Sequence, residues 1–218
     1  RSILLIANYD KPGAESESPK IAAELRSAGY AVQTFWFRGQ PGAVPQQSFD
    51  LAISLGGDGT VLYAARSMAP LGVPILPVNL GDFGFITEVA LDEVTSAVDG
   101  FFTGKLRIGE RLMVAVDVSR NDALVHRFLA LNDVVISSAG ISKLVRLSAS
   151  LRDTPIGKYR ADGVIVATPT GSTAYSAAAG GPILHPEMAA MILIPICAFS
   201  ISHRPLVVPG EEIVFIDV

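Results

Sequence analysis

Residues 55–66 read LGGDGTVLYAAR, an apolar run, three glycines around one aspartate, then a helical pattern. A glycine-rich turn between a strand and a helix leaves backbone N–H groups free, and the helix dipole adds positive potential there. Gly56, Gly57, Gly59 and Thr60 are therefore candidates for holding phosphate. Asp58 is out of place beside an anion unless it has its own task. Two tasks fit: accepting the proton of an attacking hydroxyl, or helping to hold Mg²⁺. Thr60 fits the helix N-cap position, from which its hydroxyl could also reach a phosphate oxygen. The same five letters also fit an ordinary tight turn, which favours Gly and Asp. Neither the G-x-x-x-x-G-K-[ST] loop nor the G-x-G-x-x-G fingerprint is present.

A second cluster lies at residues 159–186, YRADGVIVATPTGSTAYSAAAGGPILHP. A strand runs into a Gly/Ser/Thr-rich turn and then an alanine-rich segment. Thr170, Gly171, Ser172 and Thr173 offer N–H groups and hydroxyls. Tyr175 offers an aromatic face, and Asp162 can accept from a ribose hydroxyl or an amide. A glycine-rich corner of a β domain is the plainer alternative. In LNDVV (131–135), Asn132 and Asp133 sit among β-branched residues, where both are disfavoured. Period-2 geometry sends them to opposite faces unless the strand ends or bulges there. NLGDFGF (79–85) reads as a loop lining a base or nicotinamide pocket, with Phe85 as a wall, or as a loop whose phenylalanines plug the core. His126, His185 and His203 show no metal-ligand spacing, so no protein-held metal is expected.

Several elements must position these residues. ILLIANY (3–9), AVQTFWF (31–37), FDLAISLGG (49–57) and VPILPVN (73–79) read as strands. Helical patterns at 17–30 (apolar at Ile21, Leu25 and Ala28, stopped by Gly29), 60–70 and 91–104 alternate with them, which predicts βαβ units and a parallel sheet. After residue 108 the pattern changes. Segments 111–120, 124–138, 142–151 and 205–218 are strand-like, and 172–181 is one short helix at most. The expected architecture is an α/β N-terminal domain (1–108, Rossmann-like parallel sheet) and an all-β sandwich (109–218), joined near 104–111.

Bulk composition narrows the class. The 218 residues carry a net charge of −4, a pI of about 5.4 and a mean hydropathy of +0.42. No basic surface for nucleic acid is expected. No apolar run approaches the roughly 18 residues of a membrane span, and no signal peptide is visible. Cys197 is the one cysteine, so an intrachain disulfide is excluded. A cytoplasmic protein is the expectation.

Taken in order, GGDGT (56–60), NLGDFGF (79–85), LNDVV (131–135), the 162–186 stretch and RPLVVPG (204–210) resemble the NAD kinase family over nearly the whole chain. GGDGT alone also resembles diacylglycerol-type lipid kinases and ATP-dependent phosphofructokinases. The TPTGSTAYS…GGPI stretch with NDVV upstream is the specific part. The resemblance implies transfer of the γ-phosphoryl of ATP, or of another donor, to the adenosine 2′-hydroxyl of NAD, with Mg²⁺ on the donor. It implies Asp58 as general base, and Gly56 to Thr60 around phosphate. It places Asp58, Gly59, Phe85, Asn132, Asp133, Lys143, Arg160, Asp162, Thr173, Ala174, Tyr175, Ser176, Ala177 and Ala178 against NAD. It also implies a homodimer or homotetramer in which a neighbouring subunit completes the NAD pocket. Ile194 stands where the family has threonine, and Ala198-Phe199 where it has Pro-His, which removes a polar contact. Members usually carry further strands, so the sandwich is expected to continue past Val218. Two other readings remain: a lipid or small-alcohol kinase sharing the GGDGT turn, and a catalytically silent NAD(P)-binding regulator.

Overall fold

Ile3, Leu4, Leu5 and Ile6 have no solvent exposure. Four consecutive buried residues require a strand covered on both faces. That strand is β1 (Ser2–Asn8). The structure, a computed structural model, describes residues 1–45, 47–81, 84–140, 144–199 and 204–218. It divides into two units, Arg1–Ile108 and Gly109–Val218.

In the first unit β1 is followed by α1 (Ala14–Ser27), β2 (Ala31–Phe37), β3 (Leu51–Gly56), α2 (Asp58–Met68), β4 (Ile75–Asn79) and α3 (Val94–Phe102). The strands are parallel, in the order β2-β1-β3-β4. One face of the sheet packs Ile3, Leu5, Ile53 and Leu55 against Ile21 and Leu25 of α1 and Val94 and Val98 of α3. The other packs Leu4, Ile6 and Ala52 against Ala64 and Met68 of α2. Each buried Leu or Ile contributes about 1.5–3 kcal/mol.

Three details differ from the sequence reading. The first helix begins at Ala14, behind Gly13 at φ 85°, and carries Pro19 inside it. Ala28 is its exposed C-cap, and Ala14 and Ala22 complete the buried face. Thr60 is not an N-cap: α2 starts at Asp58, capped by Gly57, which puts Thr60 at the third helical position.

The second unit holds β5 (Val114–Arg120), β6 (Ala123–Ala130), β7 (Asp133–Ser137), β8 (Val145–Leu151), β9 (Thr154–Ala161), β10 (Gly163–Ala167), β11 (Ala190–Ile196), β12 (Leu206–Pro209) and β13 (Val214–Asp217). Two antiparallel sheets, β12-β11-β10-β7 and β13-β8-β9, form a sandwich, and β5-β6 is a separate hairpin. Val164, Val166, Met191 and Leu193 meet Leu147, Ala149, Tyr159 and Ala161 in its core. The opposite face of β10 and β11 buries Ile165, Ala167, Ile192 and Ile194 beneath Ala179 and Leu184. Ile194, where the family carries threonine, is thus a core residue under Gly181.

Strands β9 and β11 had no sequence-level assignment. Pro155 and Gly157 mask the alternation of β9, and β11 is buried on both faces and so shows none. The alanine-rich segment forms a 3-10 turn (Thr170–Thr173) and a single turn, α4 (Tyr175–Ala178). Its hydroxyls compete for the backbone, which shortens the helix.

Candidate active site

All four strands of the first sheet end on one edge. From β1 the chain crosses through α1 to β2 on one side, while β3 lies on the other. The strand order reverses between β1 and β3, and the crevice outside their carboxyl ends is where open α/β sheets bind ligands. The GGDGT turn is the exit of β3 into α2, so it opens into that crevice. A Cβ on Gly56 would overlap the Thr60 hydroxyl, so close packing explains that glycine. Gly59 is different. It lies in the first turn of α2, where Gly costs about 0.5–1 kcal/mol relative to Ala, and nothing lies within 4 Å of a Cβ there. The space over Gly59 suits a ligand, and the Asp58 and Gly59 amides have no intrahelical acceptor, whereas the Thr60 N–H donates to the Gly57 carbonyl (2.8 Å). The Thr60 hydroxyl is buried and has no hydrogen-bond partner among the described residues.

Asp58 is held from one side. The Phe85 N–H donates to its Oδ2 (3.0 Å) and the Ile86 N–H to its Oδ1 (3.2 Å). This is possible because Gly84 has no side chain, since a Cβ there would overlap the Asp58 carboxylate. The Gly84 N–H in turn donates to the buried Thr87 Oγ1 (3.2 Å). The loop after β4 thus aims the carboxylate and leaves further lone pairs on each oxygen. The Phe85 ring is 77% exposed. Asp82 and Phe83 of the same loop lie outside the described residues.

In the second unit the Asn-Asp pair falls at a strand end: β6 stops at Ala130 and β7 starts at Asp133. The Asn132 carbonyl accepts from the Thr168 N–H (2.8 Å). Its side-chain oxygen is buried and unpartnered among the described residues. A Cβ on Gly171 would overlap the Asn132 backbone, so the two turns are in direct contact. The Asp133 carboxylate accepts from the Tyr175 N–H. Burial pushes its pKa above the ordinary carboxylate value, partly offset by that hydrogen bond. Asn132, Asp133, Thr173, Ala174 and Tyr175 are therefore gathered, with the Tyr175 ring exposed and Ala177 and Ala178 facing solvent. Ser176 points inward, fully buried against Gly181. The hydroxyls of Ser172 and Thr173 donate to the carbonyls of Pro169 (2.6 Å) and Thr170 (3.3 Å), so the turn itself uses them.

Arg160 and Asp162 sit elsewhere. They flank the amino end of β10, while Thr168 follows its carboxyl end. The four residue steps of β10 span about 13 Å. Both residues are exposed. The Arg160 guanidinium lies 5.6 Å from the Phe199 ring centre, and the Phe199 N–H donates to the Arg160 carbonyl (2.8 Å). Phe199, in place of a family histidine, thus serves as a cation–π partner. Lys143 lies outside the described residues. No group of three or more His, Cys, Asp or Glu is gathered for a metal among the described residues. Among those residues, no helix is long and apolar enough to cross a membrane.

Comparison with known proteins decides between the readings of this geometry. The ATP-NAD kinase N-terminal domain family matches residues 42–106, and the ATP-NAD kinase C-terminal domain family matches residues 131–218. The chain is 42% identical to the NAD kinase of Treponema denticola, over 97% of this chain and 75% of that protein. It is 40% identical to the NAD kinase of Koribacter versatilis, over 100% of this chain and 80% of that protein. The chain belongs to the NAD kinase family. Among solved structures, an Archaeoglobus fulgidus NAD kinase in complex with ATP is similar, with a TM-score of 0.78 and 27% identity over 99% of this chain and 80% of that one. The fold also matches yeast NADH kinase complexed with NADH, with a TM-score of 0.86 and 24% identity over 100% of this chain and 72% of that one. The lipid-kinase reading, which rested on GGDGT alone, is not favoured by these matches.

Within an NAD kinase, three features had no weight in the sequence reading. Gly84 became meaningful only when its clash with Asp58 was visible. Thr168 braces the second turn, donating to the Leu131 carbonyl (2.5 Å) and accepting from the Gly171 N–H (3.1 Å). Lys11, in the DKPG stretch after β1, lies beside Gly57. The DKPG stretch was the available signal, as a cation in the loop leaving the first strand of a βαβ unit.

Proposed function

We propose that Asp58 is the general base in this chain's transfer of phosphate from ATP to NAD. The overall reaction is ATP-dependent phosphorylation of NAD to NADP. In our reading Asp58 takes the proton of the adenosine 2′-hydroxyl as that oxygen attacks the γ-phosphorus in line. The O–P bond to ADP breaks, and the proton passes from Asp58 to solvent. The observation that carries this is the aimed carboxylate at the open start of α2. Phosphoryl transfer needs little else from protein beyond alignment and charge stabilisation.

The divalent metal fits as a passenger on the triphosphate. One carboxylate at the turn is too few for a protein-held octahedral site, in keeping with the absence of an acidic cluster among the described residues. We assign it as Mg²⁺, which neutralises charge on the donor phosphates when bound.

Asn132, Asp133, Thr173, Ala174, Tyr175, Ala177 and Ala178 are proposed to line one wall of the NAD site, and Phe85 and Lys143 are proposed as further NAD contacts. Arg160 and Asp162 are a strand length away, which supports a homo-oligomer in which they complete a neighbour's pocket. Exposed Leu124 and Phe128 on the β5-β6 hairpin give such an assembly apolar surface to cover. We further propose a cytoplasmic location, where a single free thiol, Cys197, stays reduced.

The test is direct. The protein supplied with Mg-ATP and NAD should form NADP, and Asp58→Asn should abolish most turnover while NAD still binds by calorimetry. A folded wild type that phosphorylates diacylglycerol and not NAD would overturn the assignment, and one that binds NAD without turnover would be the silent regulator.

A further inference from the structure

We infer that Lys11 is a donor-binding residue that clamps the triphosphate of the phosphoryl donor over the Gly57 end of the GGDGT turn. The inference rests on the kinase reading above. It starts from how the chain fixes Lys11. The Lys11 N–H donates to the Asn8 carbonyl (3.1 Å), and the Lys11 carbonyl accepts from the Ala14 N–H (3.1 Å). The Asp10 N–H is held by Asn8 Oδ1 (3.0 Å), and Asp10 Oδ2 by the Gly39 N–H (2.5 Å). The backbone at Lys11 is thus pinned on both sides, at the exit of β1 next to the exit of β3.

From there the side chain reaches across the switch point. Its Cε and Nζ lie 3.6 and 3.7 Å from the position a Cβ on Gly57 would take. The acids nearby in sequence or space have other partners. Asp10 accepts from Gly39, Glu15 pairs with Arg38 (2.5 Å), and Asp58 accepts from Phe85 and Ile86. Among the described residues no carboxylate pairs with the Lys11 ammonium.

The result is a cation held at the amino end of α2, the end whose dipole repels it. Folding does not require that placement. An anion between the ammonium and the free amides of the turn would reverse its sign, because both groups would then face negative charge. The Thr60 hydroxyl, 1% exposed and without a partner among the described residues, lies beneath the turn against Gly56, so it does not compete for an anion above it. The space over Gly59 is open. Gly57 immediately precedes Asp58, so the phosphate reached by Lys11 is next to the base. In-line transfer requires the γ-phosphoryl group to be there. The chemistry recognised is therefore the terminal phosphates of a nucleoside triphosphate or of an inorganic polyphosphate, with lysine acting as a point charge.

Kinetics and binding on the full protein separate this from a free surface lysine. Lys11→Ala should raise the KM for ATP by about 10- to 100-fold, the loss of one charged hydrogen bond, with the KM for NAD changed by no more than about twofold. Lys11→Arg should restore most of the loss, because it keeps the charge. ATP affinity measured by calorimetry without NAD should fall by the same factor. Tm values equal to wild type exclude misfolding as the cause, and Lys11→Gln serves as the second variant if the alanine protein is unstable. Unchanged ATP affinity, or a loss that falls on NAD instead, overturns the inference. If the wild type makes no NADP, the kinase reading fails, and the calorimetric comparison with ATP still decides Lys11.

Discussion

The two glycine-rich turns use the same residue types in opposite ways. At residues 56–60 the turn leaves the Asp58 and Gly59 amides without acceptors among the described residues, the buried Thr60 hydroxyl without a partner, and open space over Gly59, while the Thr60 N–H turns back to the Gly57 carbonyl (2.8 Å). At residues 168–176 the turn spends the hydroxyls of Thr168, Ser172 and Thr173 on itself, while the buried hydroxyls of Thr170 and Ser176 have no partner among the described residues. Thr168 bridges Leu131 and Gly171, Ser172 donates to Pro169 and accepts from the Leu184 N–H (3.0 Å), and Thr173 donates to Thr170. The first is built to hold something. The second is a brace that sets Tyr175 against Asp133. The self-directed bonds of Thr168, Ser172 and Thr173 separate the two, and composition does not.

Four substitutions test that contrast, in falling order of effect. Asp58→Asn should lower kcat by about 10²- to 10⁴-fold, the range for losing a general base, with only a small fall in the unfolding midpoint, because the amide nitrogen cannot accept one of the two loop N–H bonds. A fall of tenfold or less, read from NADP formation, would mean the first turn only binds.

Gly84→Ala should lower kcat by about 10- to 100-fold, because its Cβ displaces Asp58 and a 1 Å misplacement costs about that much. Denaturant midpoints should fall by less than for Gly171→Ala, since the Cβ at Gly84 meets side-chain atoms of Asp58 and Thr87, which can shift, and the one at Gly171 meets backbone. A stability loss with intact kcat would make Gly84 part of a brace as well.

Gly171→Ala should do the reverse. Its Cβ has no room against the Asn132 backbone, so stability should drop by about 1–3 kcal/mol, the usual cost of overpacking. Urea melts check this, and a midpoint at the wild-type value would show that the brace yields.

Asp133→Asn should give the smallest effect, and it depends on pH. Burial raises the pKa of Asp133 above its ordinary 3.8, with the Tyr175 N–H working the other way. A raised carboxylate pKa means the folded state binds the proton more tightly than the unfolded one. Stability from this group is then present at pH below 3.8 and is lost as pH rises to the folded pKa. The variant should lack that loss, so its stability relative to wild type should grow from acid toward neutral pH. Parallel stability-versus-pH curves for the two proteins would show that Asp133 is not desolvated.

Much of the first unit was legible because its sheet is regular. Ile3 to Ala7 is a continuous apolar run, Leu51 to Leu55 is interrupted only by the buried Ser54, and Gly29 marks the helix stop with φ 90°. The second unit was legible at the level of class and less so in detail. β9 hides behind Pro155 and Gly157, and β11 lacks alternation because both its faces are covered. The break at Leu131-Asn132 follows from the Thr168 contacts, which no local pattern announces. Among site residues, Asp58 and the glycines stood out by residue type. Lys11 and Gly84 did not, because a lone lysine and a loop glycine acquire meaning only from what lies opposite them. Arg160 and Asp162 are candidates by resemblance, and no local pattern announces that the length of β10 separates them from the turn that carries Tyr175.

The clamp on Asp58 is made by the amides of Phe85 and Ile86, and their side chains take no part in it. Those two side chains can therefore be exchanged without disturbing the aim of the carboxylate, provided residue 84 remains glycine. Reactivity and selectivity are then separable along this loop. A library that varies positions 85 and 86 could reshape the rim for altered dinucleotides while the Asp58 carboxylate, the proposed base, stays as it is. The chain offers engineers a fixed trigger behind an interchangeable face.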